Sequence, residues 1–125
     1  MRIRKVRVGI KDLTTALNEF VEMGKAVEQG HSVKAEKGVY FTSVEAFRKA
    51  ITPKRLALLK AIKKEEPSSI RQLSQITKRD LKNVSTDIRF LEQVGLVDIK
   101  KHDGKEKEIT PRVSYDRILV EIAVS

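Results

Sequence analysis

Apolar residues spaced three and four positions apart predict two consecutive helices in the centre of the chain. The first begins at 52–53, because the threonine can accept a free backbone N–H and the proline suits the first helical position. It ends before Pro67, which discourages continuation. A capping box of Ser69 and Gln72 then starts a short second helix that stops near Thr77. The residues expected on the buried sides are Leu56, Leu59 and Ile62 in the first helix, and Leu73 and Ile76 in the second.

A third, longer helix follows, with Asp80 as its N-cap, an end near Val94 and Gly95 as its stop. Helix, short helix, brief turn and longer helix is the order of a helix-turn-helix. In that motif the N-terminal residues of the last helix reach base edges in the major groove. The expected buried stripe contains Leu81, Val84, Ile88 and Leu91, and the polar residues facing away from it, expected to contact bases, are Lys82, Ser85, Thr86 and Arg89.

Two strand-like stretches, 96–100 and 109–113, predict a β-hairpin with its turn at Asp103-Gly104. A hairpin in this position is the wing of a winged helix. We expect it to be an auxiliary contact and not a basic clamp, since its charges cancel. For each of its lysines, a phosphate contact and a solvated position at the hairpin tip remain alternatives. The opposing charges are Lys100, Lys101, Lys105 and Lys107 against Asp98, Asp103, Glu106 and Glu108.

The N-terminal part predicts a strand, a helix and a second strand. Arg2 to Val8 alternates as a short strand that ends at Gly9, Val39 to Thr42 forms the second strand, and Ser43 caps a short helix. Between the strands, Ile10 to Val27 carries a narrow apolar seam on one helix face. We favour packing of this seam on the protein's own core, because it is shorter than a typical coiled coil; pairing with a second subunit is the alternative. The seam contains Ile10, Leu13, Leu17, Phe20, Gly24 and Val27.

The last segment, Arg117 to Val124, predicts one more strand with apolar residues on both faces. Such a strand needs a partner, and the expected partner is Arg2 to Val8, within the chain or across a dimer. On these grounds we expect a homodimer. Its two-fold symmetry would place two recognition helices about 34 Å apart, one turn of DNA.

The predicted fold class is therefore α+β, a winged helix-turn-helix with an N-terminal strand-helix-strand extension. Residues 1–51 form the N-terminal strand and helix unit, expected to dimerise, 52–114 the DNA-binding domain, and 115–125 the C-terminal strand. A chain of 125 residues is long enough for one main core with a small appendage.

The charge pattern favours a polyanion as partner. The formal net charge is +9 and the isoelectric point is near 9.9, so positive potential attracts phosphate and releases its counterions. Most of the excess lies at the N-terminus and in the centre of the chain. The residues expected to contact DNA phosphates are Lys54, Arg55, Lys60, Lys63, Arg71, Lys78, Arg79, Lys101 and Lys105.

Four sequence runs, TPKR, SIRQLSQI, DLKNVSTDIRFLEQVGLV and PRVSYDRI, carry a family resemblance. Over residues 40–122 the chain resembles small prokaryotic MarR-like and ArsR-like winged-helix transcriptional regulators, some of which are described as antitoxins. The resemblance implies DNA binding as a homodimer on a partly symmetric site, and it places the predicted base-contacting residues toward the groove. Asp87 is an awkward charge in such a helix, and pairing with a neighbouring basic residue would account for it.

Other chemistry is poorly supported. The two histidines, His31 and His102, lie in a polar link and a turn without a catalytic or metal-binding pattern, so we expect no enzyme, metal site or cofactor. The chain has no cysteine, and neither a signal peptide nor a membrane span is apparent. We therefore expect a cytoplasmic protein.

A protein-interaction module is the main alternative, because a winged-helix fold does not fix function. The N-terminal helix or the final strand would then bind another protein. A toxin partner would make the protein an antitoxin that also represses its own operon. A basic first helix beside a polar, partly basic third helix favours DNA binding over this alternative.

Overall fold

The computed structural model describes residues 2–32, 38–101 and 109–124. It has an α+β architecture, with five helices, a three-stranded parallel sheet and a two-stranded antiparallel hairpin in these ranges. The elements in chain order are β1 Lys5–Ile10, α1 Leu13–Glu28, β2 Gly38–Phe41, α2 Val44–Ala50, α3 Pro53–Glu65, α4 Ile70–Thr77, α5 Leu81–Val94, β3 Asp98–Lys101, β4 Ile109–Arg112 and β5 Arg117–Ile122.

The sheet has the order β2-β1-β5, so the first strand of the sequence is its centre. Val8 lies fully buried between Val39 and Val120. The prediction that this strand ends at Gly9 is wrong, because Ile10 continues the pairing on both sides and is itself buried. Gly9 belongs to the strand. A Cβ there would lie 2.8 Å from the Tyr40 ring, so only glycine leaves room for that side chain.

Most of the predicted helical core is confirmed. The predicted core residues that are buried are Leu59 and Ile62 of α3, Leu73 of α4, and Val84, Ile88 and Leu91 of α5. Leu58, absent from the predicted stripe, is also fully buried. Ile76 is exposed, and Ser74 takes the buried position instead, with its hydroxyl donating to the Arg71 carbonyl at 2.7 Å.

The predicted helix starts are confirmed at atomic detail. Thr52, Ser69 and Asp80 each accept a hydrogen bond from the backbone N–H three residues later. The capping box is wrong in one respect. The Gln72 side chain accepts from the N–H of Ser68 at 2.6 Å, and the predicted partner was the N–H of Ser69.

The hairpin is confirmed as an antiparallel pair that runs from Asp98 opposite Arg112 to Lys101 opposite Ile109. Its predicted turn at Asp103-Gly104 lies outside the described residues, as do Lys105 and His102. The pairing of β5 with the N-terminal strand is also confirmed, within the chain and in parallel orientation.

Packing of the α1 seam on the protein's own core is the expectation that the structure overturns. The helix begins at Leu13 behind an Asp12 cap, and none of its residues is buried. Phe20 is 74% exposed, and Leu13, Leu17 and Val27 are each more than half exposed. From Leu13 onward the periodic pattern identified the apolar face correctly, but the described part of the chain supplies no surface to cover it. No helix in the described ranges is long and apolar enough to cross a membrane.

Candidate nucleic-acid interface

One face of α5 presents the four residues that the sequence predicts as base contacts. Lys82, Thr86 and Arg89 are exposed and Ser85 is half-buried. They lie opposite the buried stripe, so packing of α5 on the core fixes the direction in which they project. The Thr86 hydroxyl donates to the Lys82 carbonyl at 3.0 Å, which leaves its oxygen as an acceptor toward solvent.

Ser85 and Arg89 of this face line a cleft of about 410 Å³ between α4, α5 and β4. Arg71 and Arg89 bring positive charge from two different helices to the same cleft, and neither has an ion-pair partner in the described parts of the chain. The lining is Ser69, Ile70, Arg71, Leu81, Ser85, Arg89 and Ile109.

Hydrogen bonds hold the hairpin against the start of α4. They fix the position of Ile109, which forms one wall of the cleft. The Thr110 hydroxyl is buried and donates to the Ser68 carbonyl at 2.7 Å. The Arg112 guanidinium donates to the Pro67 carbonyl at 2.9 Å. These bonds join residues more than forty positions apart, which is why sequence periodicity gives no sign of Ile109 in the site.

The pairing expected for Asp87 is confirmed, with two basic partners. Its Oδ1 accepts from Arg55 Nε at 3.1 Å and its Oδ2 from Arg79 Nη2 at 2.9 Å. Asp87 therefore presents no uncompensated negative charge next to the outward face of α5.

Arg55 is heavily engaged within the protein. Besides Asp87, its guanidinium donates to the carbonyls of Lys49 and Ala50 at 3.0 Å each, and lies 4.1 Å from the centre of the Phe90 ring. Two predicted phosphate contacts, Arg55 and Arg79, thus belong to a network that joins α3, α5 and the turn before α5. Their predicted role in binding phosphate competes with these internal contacts.

Lys60 and Lys63 lie apart from the cleft, on a second cavity of about 590 Å³ beneath β5. Lys63 pairs there with Asp116 at 3.3 Å. A hydrogen bond from the Arg4 backbone N–H, followed by the Lys63 ammonium, lowers the pKa of Asp116 below its ordinary value. The structure therefore separates these lysines from the arginines of the cleft.

Three of the remaining predicted phosphate contacts, Lys54, Lys78 and Lys101, are exposed. Lys54 lies in the first turn of α3 and Lys78 caps the end of α4 in a left-handed conformation. Lys101 lies opposite Ile109 in the register of the hairpin, and it is therefore at the hairpin end of the cleft. The sequence reasoning missed Ser69 as a site residue, although its N-cap role was visible and places a helix N-terminus at the cleft.

The described ranges contain no group of three or more histidines and carboxylates close enough to hold a metal ion. What the cleft offers instead is guanidinium and hydroxyl donors around a concave surface. Such donors suit phosphate oxygens and base edges.

A family model described as HVO_A0114 matches residues 50–120, a range that includes all of α3, α4, α5, β3 and β4. No curated protein matches the chain.

Proposed function

We propose that this chain, which belongs to the HVO_A0114 family, is a sequence-specific regulator of transcription that binds double-stranded DNA as a homodimeric repressor. The family description states no function, so the proposal rests on the geometry of the site. The observation that carries it is the cleft in which Arg71 and Arg89 converge beside the polar face of α5.

The order of the elements supports a winged helix-turn-helix of the MarR-like or ArsR-like kind. Three consecutive helices, α3 to α5, are followed by the β3-β4 hairpin, which contacts the start of α4. In a helix-turn-helix the second helix of the motif enters the major groove with its N-terminal residues. Here that helix is α5, and its exposed N-terminal residue Lys82 begins the polar face.

The charges support a division of labour between the residues. Arg71, beside the start of α4, is suited to a phosphate oxygen, which would position the protein without reading sequence. Arg89 projects from the recognition face, and its planar guanidinium can donate two hydrogen bonds to O6 and N7 of a guanine. Lys82, Ser85 and Thr86 supply further donors and acceptors on the same face.

The test begins with selection of bound fragments from genomic DNA by the full chain. We expect enrichment of a short, partly symmetric sequence. Binding of that sequence and of a scrambled one is then measured by fluorescence anisotropy over a range of salt concentrations. Selection without any enriched sequence would contradict the proposal.

Two variants separate the proposed roles. Arg89→Ala should reduce the preference for the selected sequence about tenfold, the effect of losing one good base contact. Arg71→Ala should weaken both sequences alike and lower the salt slope by about one. Lys25→Ala, which removes an exposed lysine from α1, is the matched control and should change neither quantity.

The exposed α1 seam favours a second candidate function, a protein-interaction module such as an antitoxin that binds a toxin partner. Phe20 and Leu17 present apolar surface that a partner protein would cover. A module that binds only protein gives no enriched sequence in genomic selection, whereas an antitoxin that also represses its own operon still enriches one. In both cases Phe20→Asp abolishes growth rescue in cells that express a candidate toxin.

A further inference from the structure

β5 forms an edge of the parallel sheet. It pairs with β1 along one side, and no strand among the described residues pairs with its other side. Leu119, Val120 and Ile122 are 40%, 45% and 52% exposed. An edge strand of this kind offers unpaired backbone N–H and C=O groups next to apolar side chains, and neither proline nor lysine blocks it from 117 to 122.

We propose that β5 pairs in antiparallel orientation with β5 of a second copy of the chain. Leu119 then lies at the two-fold axis, opposite Leu119 of the partner subunit, and the two sheets join into one six-stranded sheet. The inference rests on the homodimer of the proposed function and names its interface. The arrangement is isologous, since the same strand meets itself.

Symmetry limits the possible registers. A two-fold axis perpendicular to the sheet keeps the core-facing sides of both copies together, so opposite residues come from the same face. Leu119 shares its face with Arg117 and Glu121, whereas Val120 shares its face with Ile118 and Ile122. One residue of the strand must therefore lie at the axis, opposite the same residue of the partner subunit.

Charge complementarity selects Leu119 as that residue. With Leu119 on the axis, Arg117 lies opposite Glu121 of the partner subunit, and by symmetry the pair occurs twice. With Glu121 on the axis, two carboxylates face each other directly. With Val120 on the axis, Glu121 of the partner subunit lies opposite Leu119 and no charge pair forms. Opposite charges across a strand pair are favourable, and like charges are unfavourable.

The charges within one copy of the chain also favour this register. Within the sheet, Arg117 is in register with Lys5 of β1, a like charge, and no ion-pair partner for Arg117 lies in the described ranges. Glu121 has Arg7 at 3.9 Å, at the outer limit of an ion pair. A glutamate of the partner subunit beside Arg117 offsets the repulsion that Lys5 causes.

The other unpartnered apolar surface, α1, is a weaker candidate for self-association. Two of its three glutamates are already paired within the chain, Glu19 with Lys11 and Glu22 with Lys25, so two copies of this helix have no complementary charges to exchange there. It also lacks unpaired backbone groups along its length, which the edge of β5 supplies.

The test is a charge exchange on the full chain, with mass measured by light scattering after size-exclusion chromatography over a concentration series. Arg117→Glu and Glu121→Arg each replace two attractive pairs with two repulsive ones. Each should raise the dimer dissociation constant about tenfold or more. The double variant R117E/E121R restores opposite charges and should return the constant to near that of the unmodified chain.

Lys49→Glu, which reverses an exposed charge on α2, is the control and should leave the dimer unchanged. Circular dichroism melts check that every variant is folded. A monomeric unmodified chain overturns the proposal. So do single variants that dimerise normally, and a folded double variant that stays monomeric. Loss of the dimer in Phe20→Asp, with normal dimers in all β5 variants, would assign the interface to α1.

Failure of this interface and failure of the proposed function have different signatures. If charge exchange restores the dimer but genomic selection enriches no sequence, the interface stands and DNA binding fails. If selection enriches a sequence but charge exchange has no effect, the regulator stands and the β5 interface fails.

Discussion

The carboxylate of Asp87 holds guanidinium groups from two parts of the chain. Its side chain is 16% exposed, so the charges are largely desolvated and depend on each other. Arg79 Nη1 is buried and has no hydrogen-bond partner among the described residues, so the guanidinium depends on its contact with Asp87 through Nη2.

Replacement of Asp87 by alanine should therefore lower the free energy of unfolding by about 3 kcal/mol, because two mostly buried cations lose their anion. Urea denaturation measures this change. Glu92→Ala, on the exposed side of the same helix, is the control and should change the free energy by less than about 0.5 kcal/mol. Equal effects of the two substitutions would show that the network contributes nothing.

Tyr115 fastens the segment before β5 to the end of α5. Its hydroxyl donates to the Leu96 carbonyl at 2.8 Å in a buried setting, and burial raises the pKa of the phenol, which stays protonated as a donor. Tyr115→Phe should cost about 1 to 2 kcal/mol of stability, since the carbonyl loses its bond. Tyr40→Phe, at an exposed ring, is the matched control in thermal denaturation; a similar loss there would argue against the hydrogen bond.

At the residue scale the sequence shows which charge needs a partner better than it shows which residue supplies that partner. It identified Asp87 as a charge in need of a basic neighbour, and it assigned Arg55 and Arg79 to phosphate. The Arg55 contact joins residues 32 positions apart, on two helices whose mutual placement no local pattern specifies. The identity of an ion-pair partner is decided by tertiary packing.

At the scale of elements, helix boundaries follow from chemistry within one turn. Thr52, Ser69 and Asp80 cap their helices as predicted because a cap involves a residue only three positions away. The α1 seam fails for the opposite reason. Periodicity shows which face of a helix is apolar, whereas what covers that face depends on the rest of the assembly.

Gly95 ends α5 in the left-handed region, with φ of 92°, and leads the chain into the hairpin. Gly95→Ala should lower the free energy of unfolding by about 1 kcal/mol. The cost comes from the backbone, since the new Cβ would lie at an ordinary 3.5 Å from Val39.

Gly24→Ala in α1 is the contrasting control. A Cβ there meets no atom within 4 Å, and alanine favours the helix interior, so stability should rise by about 0.5 to 1 kcal/mol. Chemical denaturation of both variants distinguishes them by sign. A loss at Gly24 would show that α1 tolerates no side chain at that position.

At the scale of the whole molecule, Asp116 connects the sheet to the helices. Its carboxylate accepts from the Arg4 backbone at the start of β1 and pairs with Lys63 of α3. These contacts hold the pKa of Asp116 below its ordinary value near 3.8. Because the folded pKa is the lower one, the carboxylate stabilises the fold above pH 4 and loses that contribution as pH falls through the folded pKa.

Asp116→Asn should accordingly make stability less dependent on pH. The unmodified chain should lose free energy of unfolding as the pH falls below 4 and passes through the folded pKa of Asp116, and the variant should lose less, since asparagine can still accept from Arg4 but carries no charge. Urea denaturation across this range checks the slope. Glu92→Gln controls for removal of one exposed carboxylate, and parallel curves for Asp116→Asn and the unmodified chain would contradict the prediction.

The candidate site divides in the same way between local and global information. Lys82, Ser85, Thr86 and Arg89 were predictable because they share one helix and one periodic pattern. The separation of Arg71 from Lys63 was not, since both belong to one long basic region of the sequence. Only the packing of α4 against α5 and of α3 beneath β5 assigns the two cations to different surfaces.

The central position of β1 has a consequence for biosynthesis. Arg4 and Asp116, which bond where β1 and β5 meet, are 112 residues apart. As the polypeptide leaves the ribosome, the contiguous helices α3 to α5 can collapse early, while one side of β1 stays vacant until 117–122 emerge. Contacts of such long range slow folding and prolong the time during which a nascent strand is open to a neighbouring polypeptide. Completion of the sheet is therefore the step of this protein's synthesis most sensitive to crowding by its own copies.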